Sequence, residues 1–302
     1  MNETNLRKDQ MPSALITGAT GFVGSQLARR LVQEGWHVHI LIRARSTVSM
    51  AAEFSEISIH IYDGSIASVI SCVEYSKPNV VFHLASMFLA QHQTNDVETL
   101  IQSNVLFGAQ LLQAMQVNGV KNMINTGTSW QHYNNEDYNP VSLYAATKQA
   151  LEALLEYYVQ ACDYKAITLK LFDTYGPDDS RHKLFNLLSK AYIRGDVLDM
   201  SAGEQLIDLV HIDDVIDAYL IAAKRLIFGK VIGHESYAVS SGQPLPLKLI
   251  VDLYLQTTQK KININWGARP YRFREVMITW TKGIAIEGWK PKIELVDGLK
   301  QQ

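Results

Sequence analysis

A tyrosine and a lysine are spaced four residues apart in a segment with the apolar periodicity of a helix. Tyr144 and Lys148 would lie on one face of that helix, one turn apart. A free tyrosine has a pKa of about 10, but a neighbouring cation stabilises the phenolate and lowers that pKa. Such a phenol exchanges a proton with a carbonyl or alcohol oxygen while a hydride is transferred at carbon. The pair therefore predicts carbonyl reduction or alcohol oxidation; the alternative is an ordinary solvated helix face.

Hydroxyl residues stand at the end of the strand that precedes this helix. The strand predicted at 122–126 runs into Thr128 and Ser129. In an open parallel sheet the carboxyl ends of the strands face the ligand crevice. We expect Thr128 to orient the carbonyl group, and Ser129 is the alternative residue for this role. An ordinary turn at the end of a strand would use the same residue types.

Three glycines at steps of three follow the first apolar run of the chain. Gly18, Gly21 and Gly24 stand between a strand predicted at 13–17 and a helix predicted at 25–34. The first glycine allows a tight turn, the second lets the backbone approach a pyrophosphate, and the third lets the helix pack on the strand. The helix N-terminus offers unpaired N–H groups to the anion. Because strand, spacing and helix agree, we favour a dinucleotide site over a plain glycine-rich turn.

The second predicted strand, at 37–42, ends without an acidic residue. In dinucleotide-binding folds an acid at this point accepts hydrogen bonds from the 2′-hydroxyl of the adenosine ribose. Here Arg43 and Arg45 follow instead, and their guanidinium groups suit a 2′-phosphate through charge-assisted, often bidentate contacts. We therefore expect NADP(H) as the cofactor. NAD(H) is the alternative, with both arginines as ordinary solvated residues.

These motifs belong to a longer alternation of strands and helices. Apolar runs predict strands at 13–17, 37–42, 57–61, 80–84, 122–126 and 167–172. Helices are predicted at 25–34, 66–75, 97–117, 143–162 and 184–194. The alternation predicts an α/β fold, a Rossmann-type doubly wound parallel sheet with a smaller carboxy-terminal substrate domain. We expect the NADP(H)-binding domain to comprise 12–172 plus roughly 205–240, and the substrate domain 173–204 and 241–302.

Composition excludes several classes of function. Hydrophobic residues make up 47% of the 302 residues, yet no stretch reaches the ~18 consecutive apolar residues of a membrane helix. With 28 basic and 30 acidic residues the formal net charge is -2, so nucleic acid is not an expected partner. Cys72 and Cys162 are too few for a disulfide framework, and no Cys/His spacing indicates a metal site. The polar residues 1–12 lack the apolar core of a secretory signal, so we expect the cytoplasm.

Over almost the whole chain, these features resemble the extended short-chain dehydrogenase/reductase superfamily, in its branch of NAD(P)-dependent nucleotide-sugar epimerases, dehydratases and reductases. The motifs that carry the resemblance are 17–24, 63–64, 81–86, 144–148, 171–177, 209–215 and 288–291. The resemblance implies an enzyme that acts on a nucleotide sugar. It also implies a homodimer formed through the helices predicted at 97–117 and 143–162; the alternative for these apolar helices is burial within one chain.

The resemblance also assigns roles to individual residues. The catalytic residues would be Thr128, Tyr144 and Lys148. The cofactor would be contacted by Gly18, Thr20, Gly21, Phe22, Val23, Gly24, Arg43, Arg45, Asp63, Gly64, Leu84, Ala85, Ser86, Asn104, Tyr144, Lys148 and Thr174. The substrate would be contacted by Thr128, Ser129 and Trp130. We expect Arg272, which belongs to a basic cluster with Arg269 and Arg274, to hold the substrate diphosphate; the alternative is a solvated charged face. Gln131 and His132 are further candidates for the lining of the sugar pocket.

Departures from the family pattern favour one activity among several. Thr128 is followed by Ser129 and Trp130 rather than by an Asp-Glu pair, which disfavours a 4,6-dehydratase. Asp173 and Ile207 replace the usual Asn and Arg, so contacts to the substrate must differ in detail.

Within the branch, the segments 125–133 and 143–148 are most similar to CDP-sugar 4-ketoreductases of the CDP-abequose and CDP-paratose synthase type. This implies NADPH-dependent reduction of a CDP-4-keto-3,6-dideoxyhexose, with hydride added at C4 and a proton from Tyr144. Such a reaction belongs to deoxysugar biosynthesis for lipopolysaccharide O-antigen. The alternatives are a 4-epimerase that retains NAD and a non-catalytic dinucleotide sensor.

Overall fold

A parallel sheet forms the centre of the computed structural model, which describes residues 11–46 and 56–301. The strands are β1 (Ser13–Thr17), β2 (His37–Arg43), β3 (Ile57–Tyr62), β4 (Val80–His83), β5 (Asn122–Thr128), β6 (Lys165–Leu171), β7 (Asp173–Tyr175), β8 (Leu198–Met200), β9 (Leu206–Ile207), β10 (Leu209–His211), β11 (His234–Val239), β12 (Leu245–Pro246) and β13 (Ile264–Trp266). Within these residues the largest sheet has seven strands in the order β11-β6-β5-β4-β1-β2-β3. The strand order reverses between β1 and β4, which is the topological switch point where Rossmann folds bind their ligands.

Helices cover both faces of this sheet. They are α1 (Phe22–Gln33), α2 (Ile66–Ser76), α3 (Val97–Ile101), α4 (Phe107–Val117), α5 (Leu143–Cys162), α6 (Leu184–Arg194), α7 (Ile212–Ile227), α8 (Leu247–Thr258) and α9 (Leu295–Leu299). Successive side chains of a strand point to opposite faces, so Ile16 packs in one core with α1 and α7, whereas Leu15 packs in the other with α2, α4 and α5. The Rossmann-type fold expected from the sequence is confirmed.

Helix α5 carries the tyrosine and the lysine, and its limits match the prediction for 143–162. Ser142 caps its first turn, because the Ser142 hydroxyl accepts a hydrogen bond from the Ala145 N–H at 3.4 Å. Asp163 ends it in the left-handed conformation at φ 57°. The helix predicted at 184–194 is also confirmed, as α6.

Other boundaries differ from the prediction. Helix α1 begins at Phe22 rather than at residue 25, directly after the glycine turn. Strand β5 extends to Thr128 and therefore holds this residue in regular backbone. The helix predicted at 97–117 contains a π-helical turn, Gln102–Leu106, between α3 and α4.

A third core lies outside the two faces of the sheet. It is formed by buried side chains of α6, α8 and α9, among them Phe185, Leu188, Tyr254 and Leu299. The chain returns to the central sheet with α7 and β11 before α8 begins. The domain division at residues 172, 205 and 240 stays a prediction. Across the described part of the chain, no helix has both the length and the apolar character needed to cross a membrane.

Candidate active site

The predicted site residues follow the carboxyl ends of neighbouring strands. Because β1 to β5 are parallel and hydrogen-bonded in one sheet, the ends of these strands meet at one edge. Register places Thr17 beside His83 and Arg43 beside Tyr62. The glycine turn, both arginines, the segment after β4 and Thr128 are thereby gathered on one rim.

In the glycine turn, neighbouring backbone lies too close to Gly18 and Gly24 for either residue to carry a side chain. Gly18 has φ +76°, and a Cβ atom there would stand 2.5 Å from the Ala85 nitrogen. Gly24 packs against the Gly18 carbonyl, so the start of α1 is held against β1. No side chain caps the N-terminus of α1 at Gly21, and its first N–H groups are available to an anion. This cradle fits the pyrophosphate of a dinucleotide.

Two exposed arginines and one exposed aspartate stand at the ends of β2 and β3. The side chains of Arg43 and Arg45 make no hydrogen bond or ion pair with any described residue. The Asp63 carboxylate accepts hydrogen bonds from the Ser65 N–H at 2.8 Å and the Ser65 hydroxyl at 2.7 Å, and these bonds lower its pKa. The rim therefore offers two uncommitted cations where a dinucleotide fold receives the adenosine ribose.

Thr17 holds the segment that follows β4 in place. The Thr17 hydroxyl lies 2.8 Å from His83 Nδ1 and accepts a hydrogen bond from the Ala85 N–H at 3.3 Å. Burial, together with the charge of Lys148, lowers the pKa of His83 to about 3, so the imidazole is neutral at pH 7. The Leu84–Ser86 backbone is held beside Gly18 as a result.

Asn104 supports this segment instead of offering a free group. It lies in the π-helical turn and is 1% exposed. Its oxygen accepts from the Met87 N–H at 2.7 Å and from the Ser86 hydroxyl at 3.2 Å. Its nitrogen donates to the Met87 carbonyl at 3.0 Å and to the Thr147 hydroxyl at 2.9 Å. All four hydrogen-bonding positions of the amide are occupied, so Asn104 joins the 86–87 segment to α5 and has no group left for a direct cofactor contact.

Lys148 is a buried cation close to Tyr144. It is 2% exposed, and its Nζ lies over the Tyr144 ring, 5.9 Å from the ring centre. Its Nζ makes no hydrogen bond with any described residue. Burial lowers the pKa of Lys148 to about 8, and the charge of Glu152 opposes this effect. Free ammonium donors in a buried position fit the hydroxyl groups of a bound nicotinamide ribose.

The expected lowering of the Tyr144 pKa is wrong for this structure. Loss of water around the phenol raises the pKa above its ordinary value of 10.0. The hydrogen bond with Thr128 acts in the opposite direction, and the negative charge of Asp173 raises the pKa further. Burial is the largest of these effects. The phenol is protonated at pH 7.

An aromatic wall, formed by Phe88, Trp130 and Tyr144, stands beside the proposed catalytic residues. The Phe88 ring centre is 5.0 Å from that of Tyr144 and 5.4 Å from that of Trp130. Lys183 lies 4.6 Å from the centre of the Phe88 ring. Arg272 lies 5.5 Å from the centre of the Trp130 ring. The sequence analysis missed Phe88 and Lys183, since neither belongs to a recognisable motif.

Phe88 and Trp130 of this wall line a cleft of about 710 Å³, whereas Tyr144 and Thr128 are not among its lining residues. The predicted residues Ser129, Trp130, Thr174 and Arg272 line it together. Both of its cations are paired: Lys183 with Asp173 at 3.1 Å, and Arg272 with Glu275 through bonds of 2.6 and 2.9 Å. The cleft can therefore present flat apolar surface and oriented cations to one ligand.

Of the two further candidates for the pocket lining, Gln131 is buried away from the cleft, and His132 lines it. Gln131 is completely buried and points away from the cleft, with its Nε2 donating to Glu152 at 2.8 Å. His132 lies at the edge of the cleft, but its ring is stacked on Trp280 at 3.9 Å. The Gln131 side chain faces inward because Thr128 and Gln131 form the capping hydrogen bonds of a short 3-10 turn, Ser129–Gln131.

Thr174 is tied to the glycine turn through Arg181. Arg181 donates to the Thr174 hydroxyl at 3.0 Å and carbonyl at 2.9 Å, and it is paired with Asp179. The same guanidinium lies 4.4 Å from the centre of the Phe22 ring at the start of α1. Among the described residues no group of three or more His, Cys, Asp or Glu side chains is arranged to hold a metal ion.

Residues 14–232 match the NAD dependent epimerase/dehydratase family, and the chain belongs to this family. The family expected from the sequence motifs is thereby confirmed, and the chain is an NAD(P)-dependent enzyme of the oxidoreductase type. CDP-abequose synthase of Salmonella muenchen is 27% identical over 290 residues, with 95% of each chain covered. UDP-glucose 4-epimerase of Mycolicibacterium smegmatis is 27% identical over 314 residues, which cover 94% of this chain and 95% of the relative.

The fold is shared with a solved relative. The UDP-glucose 4-epimerase of Thermus thermophilus, in complex with NAD, superimposes with a TM-score of 0.81 at 20% sequence identity. The superposition covers 95% of this chain and 96% of the epimerase. The likeness extends beyond the central sheet into the carboxy-terminal third.

Proposed function

We propose that the enzyme reduces the 4-keto group of a CDP-4-keto-3,6-dideoxyhexose with NADPH. The observation that carries this proposal is the pair of exposed, uncommitted arginines, Arg43 and Arg45, at the end of β2 where an acid would select NAD. NADPH is a cofactor that brings reducing equivalents and leaves, which favours net reduction. The similarity to CDP-abequose synthase supports the choice of a CDP-sugar.

Cofactor binding is assigned to the rim of the sheet. The glycine turn and the N-terminus of α1 hold the pyrophosphate, and the two arginines hold the 2′-phosphate. Asp63 accepts from the adenine amino group, and Lys148 donates to the nicotinamide ribose. The remaining predicted contacts come from Thr20, Phe22, Val23, Gly64, Leu84, Ala85, Ser86 and Thr174.

Proton transfer is assigned to Tyr144. When bound, NADPH supplies the hydride for C4 of the sugar. Tyr144 carries its proton at pH 7, since burial raises its pKa, and donates it to the carbonyl oxygen. The Thr128 hydroxyl, which shares a hydrogen bond with Tyr144, holds that oxygen in position. The chemistry needs binding and orientation more than covalent catalysis.

Substrate binding is assigned to the cleft. Trp130 and Phe88 give the sugar ring a flat apolar surface that suits deoxygenated carbons. Arg272, oriented by its two hydrogen bonds to Glu275, is directed to the diphosphate. Ser129 lines the same cleft and is available to a sugar hydroxyl.

A substrate panel tests the proposed reaction. The protein is incubated with NADPH and CDP-, UDP-, GDP- or dTDP-linked 4-keto-deoxysugars, and loss of NADPH absorbance is followed. We expect oxidation of NADPH with the CDP-sugar and a dependence on Tyr144. Absence of NADPH oxidation with every 4-keto sugar would reject the proposal.

An NAD-retaining 4-epimerase is the second candidate, favoured by the equal identity to UDP-glucose 4-epimerase. In that case nicotinamide remains bound through purification, and a UDP-sugar is epimerised without net consumption of NADPH. A non-catalytic dinucleotide sensor is the third candidate, and it would bind NADPH without turnover of any sugar. Mass spectrometry of the purified protein, together with the substrate panel, separates all three.

We also propose a homodimer formed through α3 to α5. Apolar and aromatic side chains of these helices are exposed in the single chain: Val97, Ile101, Leu106, Leu154 and Tyr157. Sedimentation velocity tests this with a double variant, Leu106→Glu with Leu154→Glu. We expect this variant to be monomeric. Leu249→Glu on α8 is the matched control, since Leu249 is similarly exposed but lies outside the proposed interface.

A further inference from the structure

Beneath the proposed catalytic residues lies a buried polar network that centres on Gln131. The Gln131 Oε1 accepts a hydrogen bond from the Thr128 backbone N–H at 3.0 Å. The Gln131 Nε2 donates to Glu152 Oε1 at 2.8 Å and to Gln149 Oε1 at 2.7 Å. The amide is fully enclosed by protein and makes all of these bonds without solvent.

Glu152 decides which way the Gln131 amide faces. A carboxylate can only accept hydrogen bonds, so the NH₂ end of Gln131 must point to Glu152. The oxygen end then points to Thr128 and accepts its N–H. Glu152 stands one turn after Lys148 on the same face of α5, so the catalytic helix itself sets the orientation of the amide.

The carboxylate is held from its other side. Lys170 on β6 places its Nζ 3.7 Å from Glu152 and donates to His132 Nε2 at 2.9 Å. The pKa of His132 is lowered to about 4, by burial first and by the Lys170 charge second, so its Nε2 is an acceptor at pH 7. The His132 ring is stacked on Trp280 with an interplanar angle of 9°. The network therefore links α5, β6 and the carboxy-terminal segment.

We propose that Gln131 is a positioning residue for the reduction, and that it acts by holding Thr128 against Tyr144. This inference rests on the proposed function, because Thr128 is the group that orients the substrate carbonyl there. Gln131 fixes the Thr128 backbone, and the Thr128 hydroxyl in turn accepts the Trp130 N–H at 3.3 Å. Displacement of a catalytic group by ~1 Å can lower a rate about 100-fold.

Kinetics of Gln131→Met and Gln131→Asn test this role. Methionine keeps the length but removes all three hydrogen bonds of the side chain, and asparagine keeps the amide but is too short to join Thr128 to Glu152. We expect kcat for NADPH-dependent reduction of the CDP-4-keto-deoxysugar to fall about 30-fold in both variants. The NADPH dissociation constant and the KM for the sugar should stay within about twofold. Gln160→Met is the matched control, because Gln160 makes an exposed bond to Glu156 on the same helix.

A double variant distinguishes a positioning role of Gln131 from a loss of activity that is caused by misfolding. If Gln131 acts through the Thr128 hydroxyl, Gln131→Met combined with Thr128→Ala should be no slower than Thr128→Ala alone. If Gln131 has only a structural role, the fold-losses in kcat of the two single variants should multiply in the double variant. Titration of NADPH sites per chain and the melting temperature report the folded fraction, and Gln131→Asn remains informative if the methionine variant does not fold.

The outcomes distinguish this inference from the proposed function. Unchanged kcat in the Gln131 variants, or multiplied losses in the double variant, overturns the positioning role while the reduction itself stands. Absence of NADPH oxidation by the unmodified enzyme overturns the proposed function and the positioning role with it. Full activity of Thr128→Ala overturns the positioning role and the assignment of Thr128, while the reduction itself stands.

Discussion

The Lys148 ammonium lies over the face of the Tyr144 ring, 5.9 Å from its centre. Among the described residues it makes no hydrogen bond with the phenol oxygen, and burial holds the Tyr144 pKa above its ordinary value. A neutral phenol is a proton donor and a poor base at pH 7. This relationship favours a resting enzyme prepared for reduction of a ketone over one prepared for oxidation of an alcohol.

Removal of the Tyr144 hydroxyl should abolish proton donation and leave the ring contact with Phe88 in place. We expect Tyr144→Phe to lower kcat by about 100-fold or more, with the NADPH dissociation constant within about twofold of the unmodified value. Steady-state kinetics and a fluorescence titration of NADPH measure the two quantities. Tyr157→Phe, an exposed tyrosine on the same helix, is the control. Equal turnover in both variants would remove Tyr144 from the mechanism.

The two rim arginines should decide the choice of dinucleotide. Each charge-assisted hydrogen bond contributes about 1.5–3 kcal/mol, so the double variant Arg43→Ala with Arg45→Ala should bind NADPH about 100-fold more weakly. NADH has no 2′-phosphate, and its affinity should change by about twofold at most. Calorimetric titrations with both dinucleotides give the ratio, with the exposed Arg194→Ala as control. A preference for NADH in the unmodified protein contradicts the NADPH assignment.

Cofactor binding should require that Gly18 carries no side chain, because the Ala85 backbone lies so close to it. The positive φ of Gly18 is a separate requirement. Gly18→Ala places a methyl group 2.5 Å from the Ala85 nitrogen, whereas Gly195→Ala meets nothing within 4 Å. Both glycines have positive φ, of 76° and 69°, so the conformational cost of alanine, about 1–2 kcal/mol, is matched. We expect only Gly18→Ala to lose NADPH binding and to be destabilised beyond this amount. Urea unfolding and NADPH titration of both variants provide the comparison.

Burial of Lys148 should leave a signature in the pH dependence of stability. The folded-state pKa is about 8 against an ordinary value of 10.5, so the unfolded chain binds more protons between these pH values. The stability of the unmodified protein should therefore rise from pH 8 to pH 10.5 relative to Lys148→Met, by up to ~3 kcal/mol, and the difference should be constant below pH 8. Urea unfolding of the cofactor-free proteins measures it. A flat difference across this window would place the ammonium in water.

Arg272 should contribute to substrate affinity through its planar, two-point geometry. Arg272→Lys keeps a cation beside Glu275 but loses the fork of donors, and we expect the KM for the nucleotide sugar to rise about tenfold. NADPH affinity should not change. Arg269→Lys, at an exposed position nearby in the chain, is the control. An identical KM in both variants would assign the diphosphate to other groups.

The first half of the fold was predictable because its signals are local. Strands β1, β4, β5 and β6 are buried on both faces, whereas β3 at the edge of the sheet leaves Ile59 and Ile61 exposed. Helix α5 has its capping serine and full helical periodicity. No bounds were predicted for the elements after Met200. Strands β9, β10 and β12 have two or three residues each and depend on tertiary partners, but α7, α8 and β11 are long enough to carry a pattern and were missed. The π-helical turn that contains Asn104 has no sequence signature in this chain.

The proposed catalytic residues could be named from motifs, but the directions of the neighbouring side chains could not. Trp130 and Gln131 are adjacent, yet one faces the cleft and the other is fully buried, because the turn after Thr128 closes through the Gln131 side chain. Phe88 lies outside every motif and reaches the cleft only through the segment held by Asn104. The glycine motif of residues 18–24, by contrast, could be interpreted from the sequence alone, because its glycines reflect the backbone geometry directly.

Strand β11 pairs with residues 166–171 of β6 but is made by residues 234–239, after the stretch that matches the family. During synthesis on the ribosome, the edge of β6 that pairs with β11 stays unpaired until nearly four-fifths of the chain has emerged. A truncated product that lacks β11 would keep this edge of β6 unpaired, and an unpaired apolar strand promotes aggregation. Premature stop codons before residue 234 should therefore yield insoluble protein and no partly active enzyme.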